Sequence, residues 1–186
     1  LLLLARTEHG ELPLSVETLD ADEVLVSVAR RFRWRADEAG RVLRPEPAEG
    51  MRMRADRLRL EQALGNLVDN ALRHGAGRVT LHAAAANGIV EFHVRDQGPG
   101  FPPAYLEHAF ERFTVPTAGR DGGGAGLGLS IARTIAEAHG GCAGAMNAAA
   151  GGADVWVSIP RQPEPATRSR PSSGSASSPP RDNPWR

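Results

Sequence analysis

Glu61-Gln62-Ala63-Leu64-Gly65-Asn66-Leu67-Val68-Asp69-Asn70-Ala71-Leu72-Arg73-His74-Gly75 is the stretch on which the reading of this chain turns. Asp56 precedes it in the place of an N-cap and Gly75 closes it, so the pattern predicts a helix from just after Asp56 to about His74. Leu60, Leu64, Leu67 and Ala71 recur at helical spacing and form its apolar face, which puts Asn66 and Asn70 together on another. Amides one turn apart can offer oxygens to a metal. Taken alone, two helical asparagines more commonly face solvent or bond nearby backbone.

Downstream stand two glycine-punctuated segments, Asp96-Gln97-Gly98-Pro99-Gly100 and Gly124-Ala125-Gly126-Leu127-Gly128-Leu129-Ser130. A carboxylate between flexible loops can read an exocyclic amine, although a strand-end Asp before Gly is otherwise a turn former. Glycine-rich backbone opening a helix brings N–H groups close to phosphates, where the helix dipole also favours anions.

The remaining pattern frames these segments. Leu1 to Glu8 reads as the last turns of a helix, and Leu14 to Thr18 as a short strand. Asp20-Ala21-Asp22-Glu23 caps a helix running to about Ala39, with Val24, Leu25, Val28, Phe32 and Ala36 at helical spacing and Gly40 at its end. Short strands are expected near 41–44 and 51–54, and a hairpin from 78–85 and 89–96 around Asn87-Gly88. Residues 114–124 lack periodicity and read as a mobile loop. A helix from about Gly126 to His139 and two last strands, 142–147 and 154–159, complete a two-layer α/β sandwich. Beyond Arg161, Pro, Ser and Arg dominate, as in disordered tails.

Composition narrows the classes. The 186 residues carry 22 basic and 22 acidic groups, so no bulk attraction to nucleic acid or an anionic membrane is expected. Every basic residue is arginine, so any phosphate-contacting cation must be Arg. The single Cys142 excludes an internal disulfide and fits a reducing cytosol. The longest apolar run, Leu1 to Ala5, is far short of a membrane span.

In this order the segments resemble bacterial sensor histidine kinases. Glu61–Gly75 is similar to their N box, Asp96–Gly100 to the G1 box, Phe110-Glu111-Arg112-Phe113 to the F box, and Gly124–Ser130 with Ile131 to the G2 box. The resemblance covers roughly residues 14 to 160. It implies the Bergerat ATP-binding fold of the gyrase B, Hsp90 and MutL ATPases, a mixed β-sheet covered on one face by helices.

The resemblance assigns roles. Asn70 would ligate Mg²⁺, a hard cation that keeps several waters and needs few protein oxygens. Asn66 stands where the gyrase and Hsp90 branches carry a glutamate base. An amide cannot take a proton from water, which favours phosphoryl transfer over hydrolysis. Arg73 replaces the usual lysine near the phosphates, a task a guanidinium can perform bidentately. His74 replaces a tyrosine-like aromatic near the adenine. Asp96 would accept the adenine amine, with Gly98 and Gly100 turning the chain beneath the base. Phe110 and Phe113 would anchor the lid hinge in the core while Arg112 reaches the phosphates. Gly124, Gly126, Leu127, Gly128 and Leu129 would cradle ATP.

A histidine kinase also needs a histidine followed by an acidic residue on a dimerising hairpin. His9 is followed by Gly10, and none of the other five histidines has an acidic follower. Residues 1–12 are therefore read as the end of an upstream dimerisation and phosphoacceptor hairpin, 13–160 as the catalytic domain and 161–186 as a tail. The expected partners are ATP or ADP, the acceptor domain of the same kinase (homodimeric in the parent protein) and a response regulator, with no nucleic acid. The expected location is cytoplasmic, with a parent anchored through other segments. An anti-sigma-factor-type serine kinase and a degenerate nucleotide-binding module remain alternatives.

Overall fold

A computed structural model of the chain describes residues 12–48, 50–114 and 126–161. The helix expected in Leu1–Glu8, the interior of the loop after Thr114 with Gly124, and the tail beyond Arg161 lie outside the described residues. Element order is β1 (Glu17–Asp20), α1 (Ala21–Glu38), β2 (Leu43–Pro45), β3 (Arg52–Ala55), α2 (Arg57–His74), β4 (Val79–Ala86), β5 (Ile89–Arg95), the single turn α3 (Pro103–Leu106), α4 (Gly128–Ala138), β6 (Ala143–Asn147) and β7 (Ala153–Pro160).

Capping chemistry sets the long helices. The Asp20 side chain accepts from the Asp22 N–H at 2.9 Å, and Asp22 and Glu23 supply negative charge to the first turn of α1. Asp56 caps α2 by accepting from the Arg59 N–H at 3.0 Å, while its second oxygen accepts from the Ser15 N–H at 2.8 Å. Its own N–H donates to His139 Nε2 at 3.0 Å. Because Nε2 accepts, the His139 proton sits on Nδ1, which faces the Ile135 carbonyl at 2.8 Å. This buried imidazole therefore ties the start of α2 to the end of α4.

Five strands form one mixed sheet in the order β2-β4-β5-β7-β6; β2 runs parallel to β4 and the other pairs are antiparallel. The separate pair β1 and β3 is antiparallel, with Leu19 opposite Met53. The expected strand over Leu14–Thr18 is corrected to Glu17–Asp20, because pairing with β3 starts only at Glu17 and Val16 is exposed. The expected hairpin forms, with Asn87 at φ 52° and Gly88 at φ 75°, as a two-residue primed turn requires.

Helices α1, α2 and α4 cover one face of the sheet. Leu25, Phe32, Leu60, Leu64, Leu67 and Ile135 meet Val79, Leu81, Phe92, Val157 and Ile159 in one core. Full burial of each large apolar side chain contributes about 1.5–3 kcal/mol. The packed unit takes in Leu12, which is buried, and Arg161, whose N–H donates to the Gly88 carbonyl and whose Nε donates to Arg52 O.

The opposite face carries a ring stack. His82 lies on His93 with centroids 4.6 Å apart, and His93 continues onto Trp156 at 5.6 Å. Asp154 bonds His93 Nδ1 at 2.8 Å and accepts from Arg95 Nε at 2.7 Å. Burial alone would raise the Asp154 pKa; the bonds from His93 and Arg95 outweigh it and hold the carboxyl below its usual range. Burial, then the Arg95 and His93 charges, lowers the His82 pKa below 6.5. An unfolded His82 thus binds its proton more readily than the folded one, so stability drains as pH falls through and below 6.5. His82→Phe keeps the stack and removes this titration. Urea midpoints at about pH 7.5 and about pH 5.5 should fall more in the wild type than in His82→Phe.

Candidate active site

Asp96 is the centre of the candidate site. It follows the last residue of β5, where its N–H donates to the Ala153 carbonyl at 3.0 Å, and it is 9% exposed. Its Oδ1 accepts from the Gly98 N–H at 2.7 Å. The carboxyl group occupies the space a side chain at Gly75 would need, so the end of α2 lies directly against it. A Cβ on Gly98 would stand 2.8 Å from Asp96 Oδ1 and 2.7 Å from the Ala76 nitrogen. Gly98 therefore fits for lack of a side chain, because the chain at Ala76 and the Asp96 carboxyl close on it.

The loop after Asp96 is laced to two other segments. The Gln97 N–H donates to the Ala76 carbonyl at 2.9 Å, and the Arg78 N–H donates to Gln97 Oε1 at 2.9 Å. Further on, Asn147 clamps Phe101: Oδ1 accepts from the Phe101 N–H at 2.7 Å and Nδ2 donates to its carbonyl at 2.9 Å. Gly100 has φ +74°, and a Cβ there would stand 2.5 Å from Asn147 Oδ1. Gly152 at φ +93° lies so close to the Asp96 carbonyl that no side chain fits. Asn147 and Gly152 escaped the sequence reading; the Gly151-Gly152 doublet was the visible signal for one of them.

Asn66 and Asn70 sit on one side of α2, both half-buried. Asn66 Nδ2 is buried with no hydrogen-bond partner among the described residues. The start of α4 lies beside it, since a Cβ on Gly128 would be 3.9 Å from the Asn66 Cβ. Leu127 stands at the N-cap of α4 and provides no side-chain bond to the first turn. Leu127 is half-buried, whereas Leu129 is 6% exposed and belongs to the core. Helix N-terminus, amide pair and buried carboxylate are thus brought together around the C-terminal half of α2.

Other expected residues stand differently. Arg73 Nε lies 2.9 Å from Asp69 Oδ2 one turn back on α2. His74 and Arg112 are exposed. Phe110 packs against the core, but the expectation that Phe113 does so is corrected: it is 71% exposed, with φ 62°. Its N–H donates instead to the Gly126 carbonyl at 3.1 Å, and the Tyr105 hydroxyl donates to the Thr114 carbonyl at 3.1 Å. Burial raises the pKa of that hydroxyl. Residues 113 and 126 are therefore tied across the segment that separates them.

Comparisons with known proteins bear on the family and the fold. Residues 55–163 match the family described as histidine kinase-, DNA gyrase B- and HSP90-like ATPase. The chain is 38% identical over 160 residues to a probable sensor histidine kinase HK of Mycobacterium tuberculosis (strain CDC 1551 / Oshkosh), covering 86% of this chain and 41% of that protein. Full-length ShkA, crystallised with AMPPNP, superposes with a TM-score of 0.76 at 35% identity, over 86% of this chain and 34% of that one. The catalytic domain of histidine kinase ThkA gives 0.68 at 28%, over 80% and 97%; ThkA has also been solved in complex with the response regulator TrrA.

The chain belongs to the histidine kinase-, DNA gyrase B- and HSP90-like ATPase family, with its two-layer α/β fold. Within it, the chain is an ATP-binding catalytic domain of the sensor histidine kinase type. It spans less than half the length of the curated relative above. No helix among the described residues is long and apolar enough to cross a membrane.

The Asn147 clamp yields a test of how the loop is held. Asn147→Ala removes both bonds to Phe101 and should lower unfolding free energy by about 1–2 kcal/mol in urea titrations. It should also accelerate proteolysis near Phe101; unchanged stability and cleavage would mean the clamp contributes nothing.

Proposed function

We propose that this chain transfers the γ-phosphate of Mg-ATP to a histidine presented by a dimerisation domain, for relay to a response regulator. The observation that carries the reading is Asp96: a buried carboxylate, held by one backbone N–H and walled by residues without side chains. A carboxylate so fixed accepts the exocyclic amine of adenine and rejects guanine, which places a carbonyl there. Gly98 lets the loop close on the carboxylate and Gly100 lets it close on Asn147, which would leave the loop's backbone to face the base.

Asn66 and Asn70 fit the phosphate end. Asn66 carries a buried polar atom without a described partner, a vacancy in hydrogen bonding that a hydrated ligand would fill. Asn70, one turn on, would hold Mg²⁺ through its amide oxygen. The metal, when bound, neutralises phosphate charge during transfer. Gly126, Leu127 and Gly128 bring the uncapped first turn of α4 to the phosphates, where N–H groups and helix dipole favour anions; Gly124 would extend that cradle. Leu129 acts by packing this turn in place. Arg73 would add a cation, and Arg112 and His74 line the approach.

Asn66 offers no base for water, so idle hydrolysis stays low. No histidine in the chain is followed by an acidic residue. The acceptor is thus supplied by another domain, with a homodimeric, membrane-anchored parent as the expected setting. In-line transfer requires that nucleophile to be held at the γ-phosphate.

Asp96→Asn retains one acceptor oxygen for the Gly98 N–H and loses the charge. It should weaken adenine-nucleotide binding by about 1.5–3 kcal/mol with the fold intact, as read by fluorescent-nucleotide titration. GTP competing as well as ATP against the wild type would remove Asp96 from this role. Asn70→Ala should abolish transfer to an added histidine-bearing hairpin while moving the thermal midpoint by only a few degrees (about 2–4 °C). Incubated alone with labelled ATP, the chain should remain unlabelled; with the hairpin, acid-labile and base-stable label should appear on histidine. Acid-stable label on a serine of an added protein would favour the serine-kinase alternative.

A further inference from the structure

Asp69 lies on α2 between Asn66 and Arg73 and has no part in the nucleotide contacts above. Its two oxygens face two guanidinium groups. Arg73 Nε approaches Oδ2 at 2.9 Å, and Arg35 of α1 forms an ion pair with Oδ1, which accepts no hydrogen bond among the described residues. All three side chains are partly exposed, between 29% and 39%.

Arg35 is itself positioned. Its guanidinium lies over the Phe32 ring, 5.6 Å from the centroid. Phe32 in turn packs onto Gly65 of α2, so closely that a Cβ there would stand 3.1 Å from the ring edge. A line of direct contacts therefore runs from Gly65 through Phe32, Arg35 and Asp69 to Arg73, crossing from α2 to α1 and back. It ends at Arg73, about one turn beyond Asn70 on α2.

The electrostatics of this line have a direction. A carboxylate paired with Arg73 alone would compete with a phosphate for the same guanidinium. A second cation on its other oxygen shares the charge and weakens that hold. When Arg73 turns toward an incoming phosphate, the carboxylate stays paired, so no charge is left uncompensated in a partly buried place.

We propose that Asp69 is a positioning residue for Arg73 and that Arg35, carried on Phe32 of α1, sets how readily Arg73 is released to the terminal phosphate of the nucleotide. The proposal rests on the reading that Arg73 meets phosphate. It means that preference for the triphosphate over the diphosphate is partly set from α1, a helix with no motif residue.

The test is calorimetric titration of the full chain with Mg-ATP and with Mg-ADP. Arg35→Gln should weaken Mg-ATP binding about three- to fivefold and leave Mg-ADP within about twofold. Arg35→Lys, which keeps the charge, should recover most of the loss. In an Asp69→Asn background, Arg35→Gln should have no further effect, because the charge it offsets is gone. Equal Mg-ATP affinity of wild type and Arg35→Gln overturns the proposal. So does an equal loss for both nucleotides in both backgrounds with a lowered thermal midpoint, the signature of lost packing on Phe32. If the wild type bound neither nucleotide, the reading of the site would fall and this inference with it.

Discussion

The structure depends on a buried aspartate, Asp96, that must be approached by backbone from three directions. Its carboxyl takes the end of α2 at Gly75 and its own loop at Gly98, and its main-chain carbonyl takes the β6–β7 turn at Gly152, each without a side chain at the point of contact. An acceptor-only group under cover requires donors, and in the protein it receives one, from Gly98. Its remaining acceptor capacity is what the proposed recognition of an amine would use. The same requirement fixes the ends of α2 and β5 relative to β7, so recognition and fold share one set of contacts.

The two faces of the main sheet serve separate ends. The helix face carries the core and, at the C-terminal half of α2, the amide pair and the first turn of α4. The other face carries the His82–His93–Trp156 stack with Asp154 and Arg95, and its Arg95–Asp154 end adjoins Asp96, the next residue along the chain. Gly144 lets the Trp156 indole lie across β6, where any side chain would overlap it.

Much of this was legible in sequence because the signals were local. Asp20 and Asp56 announce their helices by capping chemistry, and Asn87-Gly88 announces its hairpin by the φ angles it demands. The family motifs supplied the site residues, since periodicity alone leaves Asn66 and Asn70 as ordinary helix surface. What sequence hid depends on partners far along the chain. Leu14 to Thr18 alternates like a strand, yet β1 begins at Glu17 because the available partner is Arg52–Ala55. Phe113 looks like a core anchor, yet it is exposed, with a left-handed backbone whose N–H bonds Gly126. Asn147 reads as a strand-end polar residue, and only the folded chain brings it to Phe101, 46 positions away.

The bond between Phe113 and Gly126 bears on how such domains diversify. It closes the intervening segment at its root with backbone atoms alone, so the junction is indifferent to what lies between. Loop-closure entropy grows only logarithmically, at about 0.6 kcal/mol for each doubling of length. A lineage can therefore lengthen or shorten the stretch ahead of Gly124 at small thermodynamic penalty. The tie makes this segment a natural place for specificity to drift.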